Sequence, residues 1–137
     1  MHTVLKAPPT VAEYMTREVV ALHPGDLVLR AREAMDVGDM RHLPIVDADN
    51  RLVGMISDRD VLAALATGER ETVVGAIMTH PVHTVTAACP AHEAIACMLA
   101  QKIGALAVVG SDGPYLVGIV TETDFLLVAE RALGGSQ

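Results

Sequence analysis

Two kinds of apolar pattern follow one another along the chain. A helical spacing of apolar residues predicts an amphipathic helix whose buried face is Val28, Ala31, Ala34 and Met35. Two short apolar runs come next, LPIVD at 43–47 and RLVGMIS at 51–57, and the turn DADN between them predicts a β-hairpin. An extended run, EVVALH at 18–23, precedes the helix, and a last helix is expected directly after Ser57.

The same order of patterns then occurs a second time. Residues 11–20, VAEYMTREVV, align with residues 74–83, VGAIMTHPVH, so that their Met-Thr pairs coincide. One extra residue near Pro114 brings LVGMISDRDVL at 52–62 into register with LVGIVTETDFL at 116–126. The apolar helix face of the second copy is predicted to be Ala94, Ile95, Met98 and Leu99. Two repeats are too few for a solenoid, so we expect them to pack face to face.

Each repeat therefore reads β-α-β-β-α, which predicts an α/β (α+β) fold. We place the first domain at residues 10–67 and the second at residues 72–131. The polar segment ATGERETV at 66–73 is the predicted linker between them.

Composition narrows the class of protein. Apolar residues make up 51% of the chain but aromatic residues only 2%, so the core must be aliphatic. The net charge of −7 argues against nucleic-acid binding, which needs a basic face. We recognise neither a signal peptide nor an apolar run long enough to span a membrane, and Cys89 and Cys97 do not suggest a disulfide framework. The expected location is cytoplasmic, with no membrane partner.

Acidic residues recur directly after the last strand of each repeat. Asp58 and Asp60 follow Ser57, and Glu122 and Asp124 follow Thr121. Such acids could be catalytic, ligate a metal, cap a helix or grip a ligand hydroxyl. An aspartate can accept both hydrogen bonds of a ribose diol, and a helix start with a free hydroxyl is an anion site.

The motifs resemble a tandem pair of cystathionine-β-synthase (CBS) domains, often called a Bateman module. The resemblance rests on HLPIVD, on the two Met-Thr segments, and on LVGMISDRDVL with LVGIVTETDFL, and it covers residues 10–131. It implies two repeats packed as a pseudo-twofold pair, with an adenine nucleotide (AMP, ADP or ATP) bound in the cleft between them. It also implies a regulatory protein that signals in trans to an unknown partner, has no catalytic cofactor and is not an enzyme.

The resemblance also implies which residues contact the ligand. The expected hydroxyl and acid are Ser57 and Asp60 in the first repeat and Thr121 and Asp124 in the second. Arg59 adds a cation for phosphate in the first repeat. The expected contacts after the two Met-Thr pairs are Thr16, Val19, Val20, Thr79, His80, Val82 and His83. The expected contacts at the starts of the following strands are His42, Leu43, Pro44 and Leu106. The first repeat, with Arg41 and Arg59, should hold phosphate more tightly; the second keeps Lys102 as a cation.

Several alternatives stay open. The acids could serve only as helix caps, in which case the chain would be a ligand-free dimerisation or interaction module. The ligand could be S-adenosylmethionine, an NAD-type molecule or Mg²⁺. A small hydrolase is disfavoured because no separate base, nucleophile or metal cluster is visible, and the scattered histidines do not predict a metal site. The apolar surplus predicts a homodimer with helices at its interface.

Overall fold

The elements follow the predicted order in a computed structural model that describes residues 7–68 and 70–135. The helices are α1 (Val28–Gly38), α2 (Asp58–Ala66), α3 (Ala91–Gln101) and α4 (Glu122–Ala132). The strands are β1 (His42–Val46), β2 (Leu52–Ser57), β3 (Thr84–Thr86), β4 (Ala105–Val109) and β5 (Leu116–Thr121). Short 3-10 turns, Val11–Glu13 and Val74–Ala76, open the two repeats. Within the described residues, every helix is too short or too polar to cross a membrane.

The mixed α+β fold in two repeats is as predicted, except at the first strand of the first repeat. In the second repeat β3 pairs in parallel with β4, and β4 pairs antiparallel with β5. In the first repeat the equivalent of β3 is a single bridge between Leu22 and Ile45. Pro44 explains the loss, because it has no N–H to donate to the backbone of the extended run before Leu22. The second repeat has Ala107 in place of Pro44, and its N–H is available.

The segments that open the repeats cross over to the opposite repeat. We call residues 11–20 the first Met-Thr segment and residues 74–83 the second. The Thr16 N–H donates to the Ile119 carbonyl of β5 at 2.8 Å, and the Thr79 N–H donates to the Met55 carbonyl of β2 at the same distance. Each β-hairpin is therefore extended by the segment that opens the other repeat.

The hydrophobic cores show the same exchange. Val74, from the second Met-Thr segment, is buried in the core of the first repeat beside Leu43 and Ile56. Val11, from the first Met-Thr segment, is buried in the core of the second repeat beside Leu106. Neither repeat completes its core with its own residues alone.

The glycine of each LVG string makes this crossover possible. A Cβ on Gly54 would lie 2.3 Å from the Met78 sulfur, and a Cβ on Gly118 would lie 2.9 Å from the Thr16 carbonyl oxygen. A side chain at either position would clash, so these glycines are needed because another chain segment approaches closely.

A third apolar cluster joins the two hairpins. It contains Val46 and Met55 of the first repeat and Ala105, Ala107 and Ile119 of the second. Backbone hydrogen bonds reinforce it at the hairpin turns, where the Leu52 N–H donates to the Pro114 carbonyl and the Leu116 N–H donates to the Asn50 carbonyl. The repeats are thus packed face to face as a pseudo-twofold pair.

Candidate functional site

A cleft opens where the start of the first hairpin faces the second repeat. Its volume is about 1170 Å³, and β1, β2, the start of α2, the second Met-Thr segment, α3 and α4 line it. We call it the first cleft. The predicted site residues that line it are His42, Ser57, Arg59, Asp60, Thr79, Val82 and His83.

Hairpin register brings two of these residues together. His42 and Ser57 are directly opposite each other in the β1–β2 pair, at the end of the hairpin where α2 begins. The first turn of α2 therefore starts beside the imidazole. This helix start directs the positive end of the helix dipole at the first cleft. Its first N–H groups are already paired: the Asp58 N–H donates to the Arg41 carbonyl, the Arg59 N–H to Asp58 Oδ1 and the Asp60 N–H to Ser57 Oγ.

Ser57 and Asp60 form a reciprocal cap at this helix start. The Asp60 N–H donates to Ser57 Oγ at 3.2 Å, and the Ser57 N–H donates to Asp60 Oδ2 at 2.9 Å. The cap uses only one carboxylate oxygen, and within the described chain Oδ1 of Asp60 has no hydrogen bond. Asp60 can therefore fix the helix and still accept a hydrogen bond in the cleft.

The opposite wall comes from the second Met-Thr segment. Backbone pairing of Thr79 with Met55 holds this segment against β2, and Val82 packs on the apolar cluster between the hairpins. Thr79 and His83 are exposed on the cleft side. The first cleft therefore offers an apolar surface from one repeat and a capped helix start from the other.

Charges of both signs line the first cleft. Arg41, Arg59 and Lys102 supply positive charge, and Asp58, Asp60 and Glu122 supply negative charge. Burial lowers the pKa of His42 below its ordinary value, although Asp58, Glu122 and Asp60 act to raise it; Arg41 adds to the lowering. His42 is consequently neutral near pH 7, with acids and cations on several sides.

Thr16, Thr121 and Asp124 lie at the pseudo-symmetric position, which we call the second site. There the Thr121 N–H donates to Asp124 Oδ2 at 2.8 Å, and the Thr121 hydroxyl donates to the same oxygen at 3.2 Å. Thr16 is held beside this cap through its pairing with Ile119, and the first Met-Thr segment continues to Val19 and Val20. Val19 is half-buried against the cluster between the hairpins, whereas Val20 is exposed.

Comparison with known proteins explains this architecture. The sequence model of the CBS domain matches residues 11–67 and again residues 74–131. The chain belongs to the CBS-domain family. Inosine-5′-monophosphate dehydrogenase of Methanocaldococcus jannaschii is 32% identical over 114 residues, which is 83% of this chain but 22% of that enzyme. This CBS pair thus spans about a fifth of the length of that relative.

Solved structures of other CBS pairs share the whole fold. The CBS-domain pair of protein MJ0100, in complex with 5′-methylthioadenosine and S-adenosyl-L-methionine, has a TM-score of 0.85 and 27% identity, covering 92% of this chain and 99% of that one. CBSX2 of Arabidopsis thaliana, in complex with AMP, has a TM-score of 0.79 and 28% identity, covering 91% and 98%. Both neighbours are CBS pairs that hold adenosine-containing ligands.

The CBS pair does not bring every predicted site residue into a cleft. The side chains of Leu43, Pro44 and Leu106 are fully buried. Leu43 and Leu106 lie in the cores of the two repeats, whereas Pro44, the next residue of β1, points to the opposite face of its strand. Only their backbone groups could meet a ligand. His80 is exposed but lies outside the lining of the first cleft.

Several lining residues were not foreseen. Glu122 and Phe125 of α4 face the first cleft, although sequence places them in the second repeat. Lys102, which we assigned to the second repeat's cations, also lines the first cleft. Ile95 and Leu99 were expected in the core but line the cleft and remain exposed, Leu99 by 73%. No local signal reveals these positions, because they depend on how the two repeats are placed.

Among residues 7–68 and 70–135, no three His, Cys, Asp or Glu side chains come together as a possible metal site. Burial raises the pKa of the Cys89 thiol, which disfavours the reactive thiolate.

Proposed function

We propose that this CBS pair is a regulatory module that binds an adenine nucleotide (AMP, ADP or ATP) in the first cleft without chemical turnover. The observation that carries the proposal is the composition of that cleft. His42, Ser57 and Asp60 of one repeat face Thr79, Val82 and His83 of the other, and these are residues expected from motifs alone. The AMP complex of CBSX2 supports an adenosine ligand.

Each part of a nucleotide has a matching group. The start of α2, with Arg41 and Arg59 nearby, suits a phosphate, because the positive end of the helix dipole and the two guanidinium groups all favour negative charge. Asp60 can accept from a ribose hydroxyl through Oδ1 while Oδ2 keeps its cap. Val82 and Met55 offer an apolar surface for the adenine ring.

The ligand's identity has one serious competitor. The MJ0100 complex with 5′-methylthioadenosine and S-adenosyl-L-methionine shows that a CBS pair of this shape can hold adenosine compounds without phosphate. An S-adenosylmethionine-type ligand would suit the second site better than the first cleft. Positions 104, 105 and 123 of the second repeat carry Gly, Ala and Thr where the first repeat has Arg41, His42 and Arg59.

Signalling in trans requires a surface for other proteins. Apolar side chains on α3 and α4 are exposed, notably Leu99 by 73% and Leu126 by 64%. We propose that they pair with the same faces of a second copy, giving a homodimer of CBS pairs, because an isologous interface covers both faces at once. Light scattering should give the dimer mass at tens of micromolar, and a monomer mass would contradict it.

A ligand panel tests the nucleotide proposal directly. Thermal unfolding is measured with AMP, ADP, ATP, NADH, S-adenosylmethionine and GTP, with adenosine as the phosphate-free control. A ligand that binds only the folded state stabilises it by RT ln(1 + [L]/Kd), about 2.7 kcal/mol at 100 times Kd. We expect the largest shift from an adenine nucleotide. No shift with any adenine compound at millimolar concentration would favour the ligand-free interaction module.

A further inference from the structure

His42 occupies a particular place at the floor of the first cleft. It is half-buried at the start of β1, directly opposite Ser57, and packs against Gly104 of the second repeat. A Cβ added to Gly104 would lie 3.3 Å from His42 Cε1 and 3.1 Å from Glu122 Oε1. Because Gly104 has no side chain, the His42 imidazole and the Glu122 carboxylate can both approach its backbone.

Charged groups approach His42 from every neighbouring element. Asp58 and Asp60 lie on α2 and Glu122 on α4, and their negative charge favours the imidazolium. Arg41 disfavours it from the adjoining position on the chain. Arg59, Lys102 and His83 also line this cleft and can be positively charged. Burial outweighs the acids, so the pKa of His42 lies below its ordinary value in the ligand-free protein.

We propose that His42 takes up a proton when a phosphate group occupies the first cleft, so that this cleft binds phosphate-bearing adenine nucleotides more tightly as pH falls. This inference rests on the proposed function. The proton comes from solvent and binds to a free imidazole nitrogen; no other bond forms or breaks. A phosphate beside the start of α2 adds one to two negative charges near His42, and that charge compensates the cost of burying the imidazolium.

Proton uptake would distinguish the two sites of the CBS pair. The residue that matches His42 in the second repeat is Ala105, which pairs with Thr121 just as His42 pairs with Ser57. The second site has no titratable group at this position. A phosphate-free ligand would also leave His42 neutral, because it brings no charge to compensate burial.

Titration calorimetry of the full chain with AMP tests the inference. The binding enthalpy is measured at pH 7.0 in several buffers that differ in ionisation enthalpy, and its slope counts the protons exchanged. We expect net uptake of up to one proton with AMP and none with adenosine. The affinity for AMP should rise as pH falls from 8.0 to 6.5, by up to about tenfold per pH unit, the limit for one linked proton.

Variants identify the group that takes up the proton. His42→Gln should abolish the uptake and flatten the pH dependence, whereas His92→Gln, an exposed histidine on α3, should leave both unchanged. The AMP phosphate has a second pKa of about 6 and can itself exchange a proton in a cleft lined by charges of both signs, so it is the loss of uptake in His42→Gln that assigns the proton to the imidazole. A carbon-13 histidine spectrum of the wild type, with AMP and with adenosine, reports the same protonation if His42→Gln does not fold.

The outcomes separate this inference from the proposed function. AMP binding without proton uptake, or uptake that survives in His42→Gln, would overturn the proton linkage and leave nucleotide binding intact. Failure of both AMP and adenosine to bind would overturn the proposed function and this inference with it.

Discussion

In the first repeat α2 buries Val61 and Ala64 against α1, whereas α4 in the second repeat buries none of its side chains completely. The difference begins at one position. Phe125 stands where the first repeat has Val61, and its ring meets Tyr14 of the first Met-Thr segment edge to face, with 5.9 Å between centroids. An aliphatic residue allows two helices to close, while the larger ring packs with its aromatic partner and leaves the space between α3 and α4 open as part of the first cleft.

The two caps differ in their surroundings more than in their own geometry. Asp60 and Asp124 both accept the backbone N–H of the residue before the helix, at 2.9 and 2.8 Å. Arg59 and His42 line the cleft beside Asp60, and the residues that match them in the second repeat are Thr123 and Ala105. The same local motif can therefore provide a phosphate site in one repeat and, in the other, a site better suited to a neutral or cationic ligand.

The largest expected effect concerns the two crossover glycines. Gly118→Ala should destabilise the fold by about 2–3 kcal/mol and Gly54→Ala by about 1–2 kcal/mol. The obstacle at Gly118 is the Thr16 backbone, which cannot move aside, whereas the nearest atom at Gly54 is the Met78 sulfur, part of a flexible side chain. Urea unfolding measures both. Gly25→Ala, with no atom within 4 Å of the added Cβ, is the matched control; an equal loss there would remove the steric explanation.

The next effect separates the two ligand sites. Asp60→Ala should weaken AMP binding by roughly 10- to 100-fold, because a charge-assisted hydrogen bond contributes about 1.5–3 kcal/mol. Asp124→Ala should weaken it less. Asp60→Asn keeps an oxygen for the Ser57 N–H, so it tests the ligand contact with the cap preserved. Calorimetry measures affinity and urea unfolding measures stability. Unchanged affinity in both alanine variants, with stability alone reduced, would make these acids helix caps only.

The smallest effect concerns the mobility of the helices. Because α4 buries no side chain completely and α2 buries two, the α4 amides should exchange with deuterium faster than those of α2, by on the order of tenfold. Phe125→Leu should make exchange in α4 still faster, since it removes the contact with Tyr14. The matched change in the first repeat is Val61→Ala. Equal protection of the two helices at low protein concentration would show that their packing is equivalent.

Sequence patterns were sufficient for the local structure of this chain. The helix face at Val28, Ala31 and Met35 is buried as predicted, and both hairpins form at the expected residues. The predicted strand at 18–23 is reduced to a single bridge at Leu22. The apolar pattern of that run does not reveal that Pro44, on the neighbouring strand, has no N–H for a backbone hydrogen bond. The spacing of apolar residues predicts which side chains are buried, but not which backbone groups form hydrogen bonds with each other.

The arrangement of the sites required the structure. The repeat signal alone gave no reason to place Thr79 beside Ser57 rather than beside Thr121, because both pairings satisfy the apolar pattern. Leu43, Pro44 and Leu106 illustrate the complementary difficulty. Alternate residues of a strand point to opposite faces, and the motif does not say which face the ligand meets.

The crossover of the Met-Thr segments also has a consequence for synthesis on the ribosome. Val11 is made before the rest of the first repeat, yet its neighbours Leu106 and Val120 belong to the second repeat. The first repeat likewise lacks a core residue until Val74 has emerged. The nascent first repeat therefore stays incompletely packed until the second Met-Thr segment has been synthesised. Folding dominated by such distant contacts is slow, and exposed apolar surface in that interval is where chaperones would act.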